Sequence, residues 1–401
     1  MSLIESVHAD HGATFGERGG RRIVEHYGRP ERAHRAVRNG AGLFEPAYGV
    51  VVVEGDDRVE YVDNVVSNRV PDGDGEGCYA LVLDPQGGIE VELYVYNAGE
   101  RLLLLTPPAL AEELAADWAE KVFIQDVEIR VATEEFAVFE VHGPKATEKV
   151  ASVFTGPSTP DRRFAFERGS MGEAGVTVIR TDGLAGEESY AVVCGADDAE
   201  KAYDVLETQG MAVAPFGYRS WETLTLEAGS PLFSTELEGR IPNVLGLRSA
   251  LDFEKGCYVG QEVVSRVENR GRPSRRLIGL ELDGTDVDHE ADGEDGSGTD
   301  DGDGSGADGE DGSGADDGDG SGAGGVPAAG AAVFDGDASV GEVTRADVSP
   351  LLGRPIALAL VEYGLDAETV TVRVGGEEVP ATTTELPFVE GSERSARLPT
   401  Y

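Results

Sequence analysis

Residues 283–325 set the outer limits on any fold this chain can adopt. They are repeats of Asp, Gly, Ser and Ala, such as Asp303-Gly304-Ser305-Gly306-Ala307-Asp308. Between Asp283 and Asp319 stand 16 acidic residues and no Lys or Arg. Such a segment buries too little apolar surface to offset the entropy of ordering it, so it reads as a disordered, solvated insertion in a surface loop. Two calcium-binding readings fail. A β-helix repeat needs a regular apolar position, and an EF-hand needs a glutamate at position 12 with amphipathic flanking helices. The folded chain therefore lies on either side. Beyond the run, Val333-Phe334, Val340–Thr344, Ile356–Glu362, Val370–Val374 and Val379–Thr382 are short strands separated by Gly or Pro turns, the pattern of a small β-barrel. Before it, strands and helices mix. Val50–Val53 is a β-branched run, and strands are expected at 78–83, 89–96, 102–105, 128–132, 136–141, 176–180, 190–194 and 277–282. Pro107-Pro108 opens a helix with Leu110, Leu114, Trp118 and Val122 on one face. A second helix follows Pro144, and a third runs from Asp197-Asp198 to Gly210. The fold class is α+β.

Charge narrows the function. The formal net charge is -43. Outside the acidic run, 60 acidic residues still face 33 Lys and Arg, and only five of those bases are lysines. This suits a protein working in concentrated salt, where self-repulsion is screened within about 3 Å at 1 M. Nucleic acid is not expected as a partner, since phosphate binding needs a basic stripe. Three cysteines, an odd number, argue against a disulfide framework. No apolar run reaches membrane-spanning length and the start lacks a secretory pattern, so a cytoplasmic monomer is expected. Residues 17–38 hold Arg18, Arg21, Arg22, Arg29, Arg32, Arg35 and Arg38. Ordinary ion pairing along a surface helix explains them best, with a carboxylate-rich ligand tail as the alternative.

The densest chemistry is in Lys255-Gly256-Cys257-Tyr258-Val259-Gly260-Gln261-Glu262, with Arg266 beyond. A cation two residues from a thiol favours the reactive thiolate, and the flanking glycines let the backbone turn sharply. Most free cysteines are nonetheless small buried apolar residues. The octapeptide resembles the K-G-C-[FY]-x-G-Q-E signature of the YgfZ family, a branch of the glycine-cleavage T-protein (aminomethyltransferase) superfamily, whose true transferases usually have K-G-D-[FY]-x-G. Other stretches are similar in the same order. Val37–Glu45 resembles R-x-x-x-G-L-F-D, and Ser67-Asn68-Arg69-Val70 resembles T-N-D-V. Gly87-Gly88-Ile89-Glu90-Val91-Glu92 resembles G-G-x-x-D-D, Arg180–Glu187 resembles R-T-G-Y-T-G-E, and Leu224–Gly229 resembles L-R-L-E-A-G. Gly341–Pro350 resembles G-x-V-T-S-x-x-x-S-P.

The resemblance implies three domains around a central folate-sized cavity. Residues 1–250 would form two intertwined folate-binding domains, 251–282 the Cys-motif segment, 283–325 the insertion and 326–401 the barrel. It implies tetrahydrofolate as ligand, with Glu187 on the pterin and Asn68, Glu92 and Tyr94 nearby. Cys257 and Lys255 would be the working pair within the motif residues Gly256, Tyr258, Gly260, Gln261, Glu262 and Arg266; no metal site is expected. It implies a folate-binding factor that supports iron–sulfur cluster assembly or repair, with assembly or client proteins as partners. The alternatives are an aminomethyltransferase moving a one-carbon unit to tetrahydrofolate, and a non-catalytic scaffold. Two departures bear on the transferase: Val91 replaces the first aspartate of its G-G-x-x-D-D motif, and Thr225 stands where an arginine is usual. His142, isolated from any nucleophile, is read as structural.

Overall fold

A computed structural model describes residues 2–209, 213–269, 271–283 and 325–401. The acidic insertion, from 284 to 324, and the expected helix stop at Gly210 lie outside the described residues.

The β-branched run is where the core begins. Val50, Val51, Val52 and Val53 lie on the strand Gly49–Glu54 and are all but inaccessible. Side chains alternate across a strand, so Val51 and Val53 face one core and Val50 and Val52 another. The first face meets Leu114, Ala115 and Trp118 of the helix Ala111–Glu120, the stripe expected after Pro107-Pro108. This strand belongs to an antiparallel five-stranded sheet, in the order Glu76–Leu83, Ile89–Asn97, Arg101–Thr106, Gly49–Glu54, Glu128–Val131. A seven-stranded sheet lies against its other face. Its order is Phe154–Thr155, Phe166–Met171, Ala174–Arg180, Ser189–Gly195, Phe136–His142, Gly42–Phe44, Ala214–Pro215, and only the last pairing is parallel. Tyr79, Tyr94 and Tyr96 from the first sheet and Val138, Ile179 and Val193 from the second share one core.

The barrel is closed and six-stranded, in the order Arg275–Leu282, Arg354–Glu362, Ala338–Ser349, Ala332–Asp335, Thr369–Val374, Glu377–Thr384. Its first strand precedes the acidic run and pairs with both Arg354–Glu362 and Glu377–Thr384. The run is thus inserted into the barrel between its first two strands in the chain.

The arginine-rich stretch departs from the single helix expected of it. Thr14–Arg18 and Arg21–His26 form a hairpin, and only Pro30–Asn39 is helical. Gly19 and Gly20, both at positive φ, make the turn that interrupts it.

Candidate functional site

After the barrel's last strand, the chain turns back between the two sheets. The Phe388 amide donates to the Glu227 carbonyl at 2.9 Å, Arg394 to Gly186 at 3.0 Å, Ala396 to Asp182 at 2.8 Å and Thr400 to Gly246 at 3.1 Å. Gly186 is what lets the tail approach. It has φ +82°, and a Cβ there would come within 2.4 Å of the Ser392 carbonyl oxygen.

The tail delivers Arg397, which is 1% exposed, to the centre of the molecule. Its Nη1 lies 2.8 Å from Glu92 Oε2 and its Nε 3.3 Å from Asp182 Oδ2. Its guanidinium carbon sits 4.4 Å over the Tyr79 ring, and Nη2 donates to the Tyr94 hydroxyl. The tyrosines donate in turn, Tyr79 to Glu92 at 3.0 Å and Tyr94 to Asp182 at 2.7 Å. Burial holds both phenols well above their ordinary pKa, so they remain donors. The strand Ile89–Asn97 explains why Glu92 and Tyr94 meet here: alternation puts them on one face and Val91 and Leu93 on the other. Two carboxylates, two phenols and one guanidinium thus share a buried centre. Asp182 and Arg397 were not legible as members of it. Asp182 stands in the R-T-D-G loop, whose only conspicuous acid was Glu187, and Arg397 carries no local motif.

Glu187 lies elsewhere. Its Oε1 is 3.5 Å from Arg38 Nη1, and burial raises its pKa despite that partner. Arg38 reaches on to Glu227 at 2.9 Å, and Glu227 also takes His34 Nε2 at 2.8 Å and the Ser349 hydroxyl at 2.6 Å. Glu187 therefore joins a second buried ion-pair cluster, apart from Glu92 and Tyr94. Asn68 is also bound: its amide donates to the Tyr79 and Ser249 carbonyls at 2.9 and 3.0 Å, tying two loops together. Thr225 gains an arginine from the barrel, since Arg345 Nη1 donates to its hydroxyl at 2.9 Å. His142 is buried against Glu140 at 2.8 Å, among Phe44, Phe216 and Trp221.

Two members of the octapeptide, Lys255 and Tyr258, are spent on packing. Lys255 does not face Cys257. Its ammonium donates to the carbonyls of Asp63, Val66 and Asn68, the last two at 2.8 and 2.9 Å. Burial lowers its pKa, and the thiol that senses its charge is Cys78, which burial pushes up to about 12. The pairing of Lys255 with a Cys257 thiolate is thus replaced by a lysine that organises the 63–68 loop. Tyr258 is buried beneath that ammonium. Glu262 and Arg266 form an exposed i,i+4 pair at the start of the helix Gln261–Asn269. The Gln261 side-chain amide reaches the Lys255 carbonyl at 3.5 Å, and a Cβ on Gly256 would meet nothing. Cys257 and Val259 are exposed, as are Gly256 and Glu262.

Gly260 has φ +79°, and a Cβ there would fall 2.6 Å from the Asp84 carbonyl oxygen. The octapeptide therefore seats directly on the 84–88 turn that feeds the Glu92 strand. Gly260→Ala is expected to cost about 1–3 kcal/mol, from backbone strain and this clash. Urea denaturation checks it, and a loss near zero would mean the two loops are not so closely apposed. No group of three or more His, Cys, Asp or Glu able to hold a metal occurs among the described residues.

Comparison with known proteins bears on the family and the fold. Residues 4–255 match the family described as GCVT N-terminal domain, and 320–390 match the glycine cleavage T-protein C-terminal barrel domain. The chain is similar to an aminomethyltransferase of Geobacillus thermodenitrificans, 30% identical over 69% of this chain and 77% of the relative. It is similar to one from Saccharopolyspora erythraea, 27% identical over 96% of both. The fold resembles the crystal structure of glycine cleavage system aminomethyltransferase T from Bartonella henselae, with TM-score 0.77, 21% identity, and 97% of this chain and 98% of that one covered.

Proposed function

The chain belongs to the GCVT family of glycine-cleavage T-proteins, and from that premise we propose that it is a tetrahydrofolate-dependent aminomethyltransferase. The observation that carries this reading is the buried centre in which Glu92 and Asp182 are held by Arg397, Tyr79 and Tyr94. It fixes Glu92, the carboxylate that remains in a motif whose first aspartate is replaced by Val91. Carboxylates suit a reduced pterin because they accept its ring N–H groups. Tetrahydrofolate, when bound, supplies the nitrogen nucleophiles that take up the one-carbon unit. The chain's own part is to orient that ligand and exclude water. Glu92, fixed through Oε2 by Arg397 and Tyr79, is assigned the role of the carboxylate beside the folate nitrogens. Glu187, on Arg38, is assigned a positioning role behind this centre.

The test is a tetrahydrofolate titration of the purified chain, followed by ammonia release from an aminomethylated lipoyl carrier protein. Binding and release are expected, with Glu92→Gln lowering the rate about a hundredfold. Absence of both would overturn the reading. The exposed thiol of Cys257 supports a second reading, a folate-binding iron–sulfur maturation factor. In that case folate binds, no ammonia is released, and Cys257→Ser lowers iron–sulfur enzyme activities in the cell. In the transferase, Cys257→Ser leaves ammonia release unchanged.

A further inference from the structure

Four arginines converge on one cleft without partners. Arg29, Arg32 and Arg35 stand at every third position from the residue preceding the helix Pro30–Asn39, and Arg219 comes from the helix Tyr218–Glu227. All four are exposed and line a cleft of about 860 Å³ whose far wall is the barrel segment 347–350. None of the four side chains makes an ion pair or hydrogen bond. Every other arginine among the described residues has an ion pair, a hydrogen bond or a ring contact. In a chain with 76 acidic residues against 33 basic ones, carboxylate partners are abundant. Glu31 also lines the cleft and forms no ion pair, so four guanidinium groups share the cleft with one unengaged carboxylate and keep an excess of positive charge that a bound anion would offset.

A second observation points the same way. His34 lines this cleft and is 1% exposed. Its Nε2 is taken by Glu227, while its buried Nδ1 has no partner. The carboxylate on the barrel wall is already engaged: Asp347 accepts the Thr223 hydroxyl at 2.6 Å and the Val348 amide at 2.8 Å.

We propose that this cleft binds a short linear oligoanion, a small molecule carrying two or more carboxylate or phosphate groups. Residues three apart on a helix rise about 4.5 Å, so Arg29, Arg32 and Arg35 offer forked donors at that repeat, and Arg219 adds a fourth. A single anion would leave most of them unused, and four cations on an acidic protein are too few for a nucleic-acid track. The site is independent of the Glu92 centre, so its fate does not hang on the folate reading.

The test is calorimetric titration of the full chain, at constant ionic strength, with inorganic tripolyphosphate and with γ-linked triglutamate. Inorganic phosphate and acetate serve as the single-anion controls. One of these oligoanions is expected to bind at least about tenfold tighter than its single-anion control. Which of them does so decides between phosphate and carboxylate. The triple variant R29Q/R32Q/R35Q should lose about tenfold or more of that affinity at an unchanged thermal midpoint, and R219Q should lose less. Binding no tighter than the controls, or undiminished in both variants, would overturn the proposal.

Discussion

Arg397→Ala is expected to destabilise the protein by about 3–5 kcal/mol, the usual cost of removing one partner from a buried charge cluster. Glu92 and Asp182 would lose the guanidinium at 2.8 and 3.3 Å. The packing of that guanidinium on Tyr79 and its bond to Tyr94 would go as well. Arg397→Met separates these contributions: it restores much of the packing while leaving both carboxylates without their cation, so a large part of the loss should remain. Ending the chain after Phe388 should resemble Arg397→Ala, because the tail's own backbone bonds to Asp182, Gly186 and Gly246 are lost with it. Urea denaturation followed by far-UV and near-UV circular dichroism reads all three. A loss below about 1 kcal/mol for Arg397→Ala would show that the tail does not dock at the centre in solution.

That tail marks the boundary of what the sequence could tell. Val50–Val53 declares its strand because its branching and alternation are local, and the barrel declares itself through evenly spaced short strands. Closure of the barrel by Arg275–Leu282, across the acidic run, depends on a pairing with Glu377–Thr384 that no local pattern encodes. The octapeptide was legible as a motif but not as to its use. Lys255 looks like a neighbour of Cys257 in the chain, yet its ammonium satisfies three carbonyls of the 63–68 loop, because a buried ammonium needs acceptors more than it needs a thiol. Glu187 stands out in the sequence through its place in a motif. The acid that reaches the centre is Asp182, five residues earlier, brought to Arg397 by a contact spanning 215 residues. Seven arginines read as one helix become a hairpin and a helix, and Arg38 turns inward while Arg29, Arg32 and Arg35 stay exposed.

Glu227 is the other point at which one substitution should unfasten several elements. It is fully buried and accepts from His34, Arg38 and the Ser349 hydroxyl, so it joins the helix Pro30–Asn39 and the barrel to its own helix, Tyr218–Glu227. Burial pushes its carboxyl pKa up, but the hydrogen bonds and charges of His34 and Arg38 and the bond from Ser349 outweigh this, and the net pKa lies below its ordinary 4.5. Glu227→Ala strands a buried guanidinium and is expected to cost about 3–5 kcal/mol. Glu227→Gln keeps the shape and removes the titration. A carboxyl whose folded pKa is depressed stabilises the fold at pH above its unfolded value, and that contribution is lost as pH falls through the folded pKa. The stability gap between wild type and Glu227→Gln should therefore be constant near neutrality. It should narrow as pH drops below about 4.5 and level off once the folded-state carboxyl is protonated. Urea denaturation of both proteins from about pH 3 to pH 7 measures this gap. A gap that does not change with pH would mean that Glu227 is not held as a carboxylate by these partners, and that the three elements are joined by packing alone.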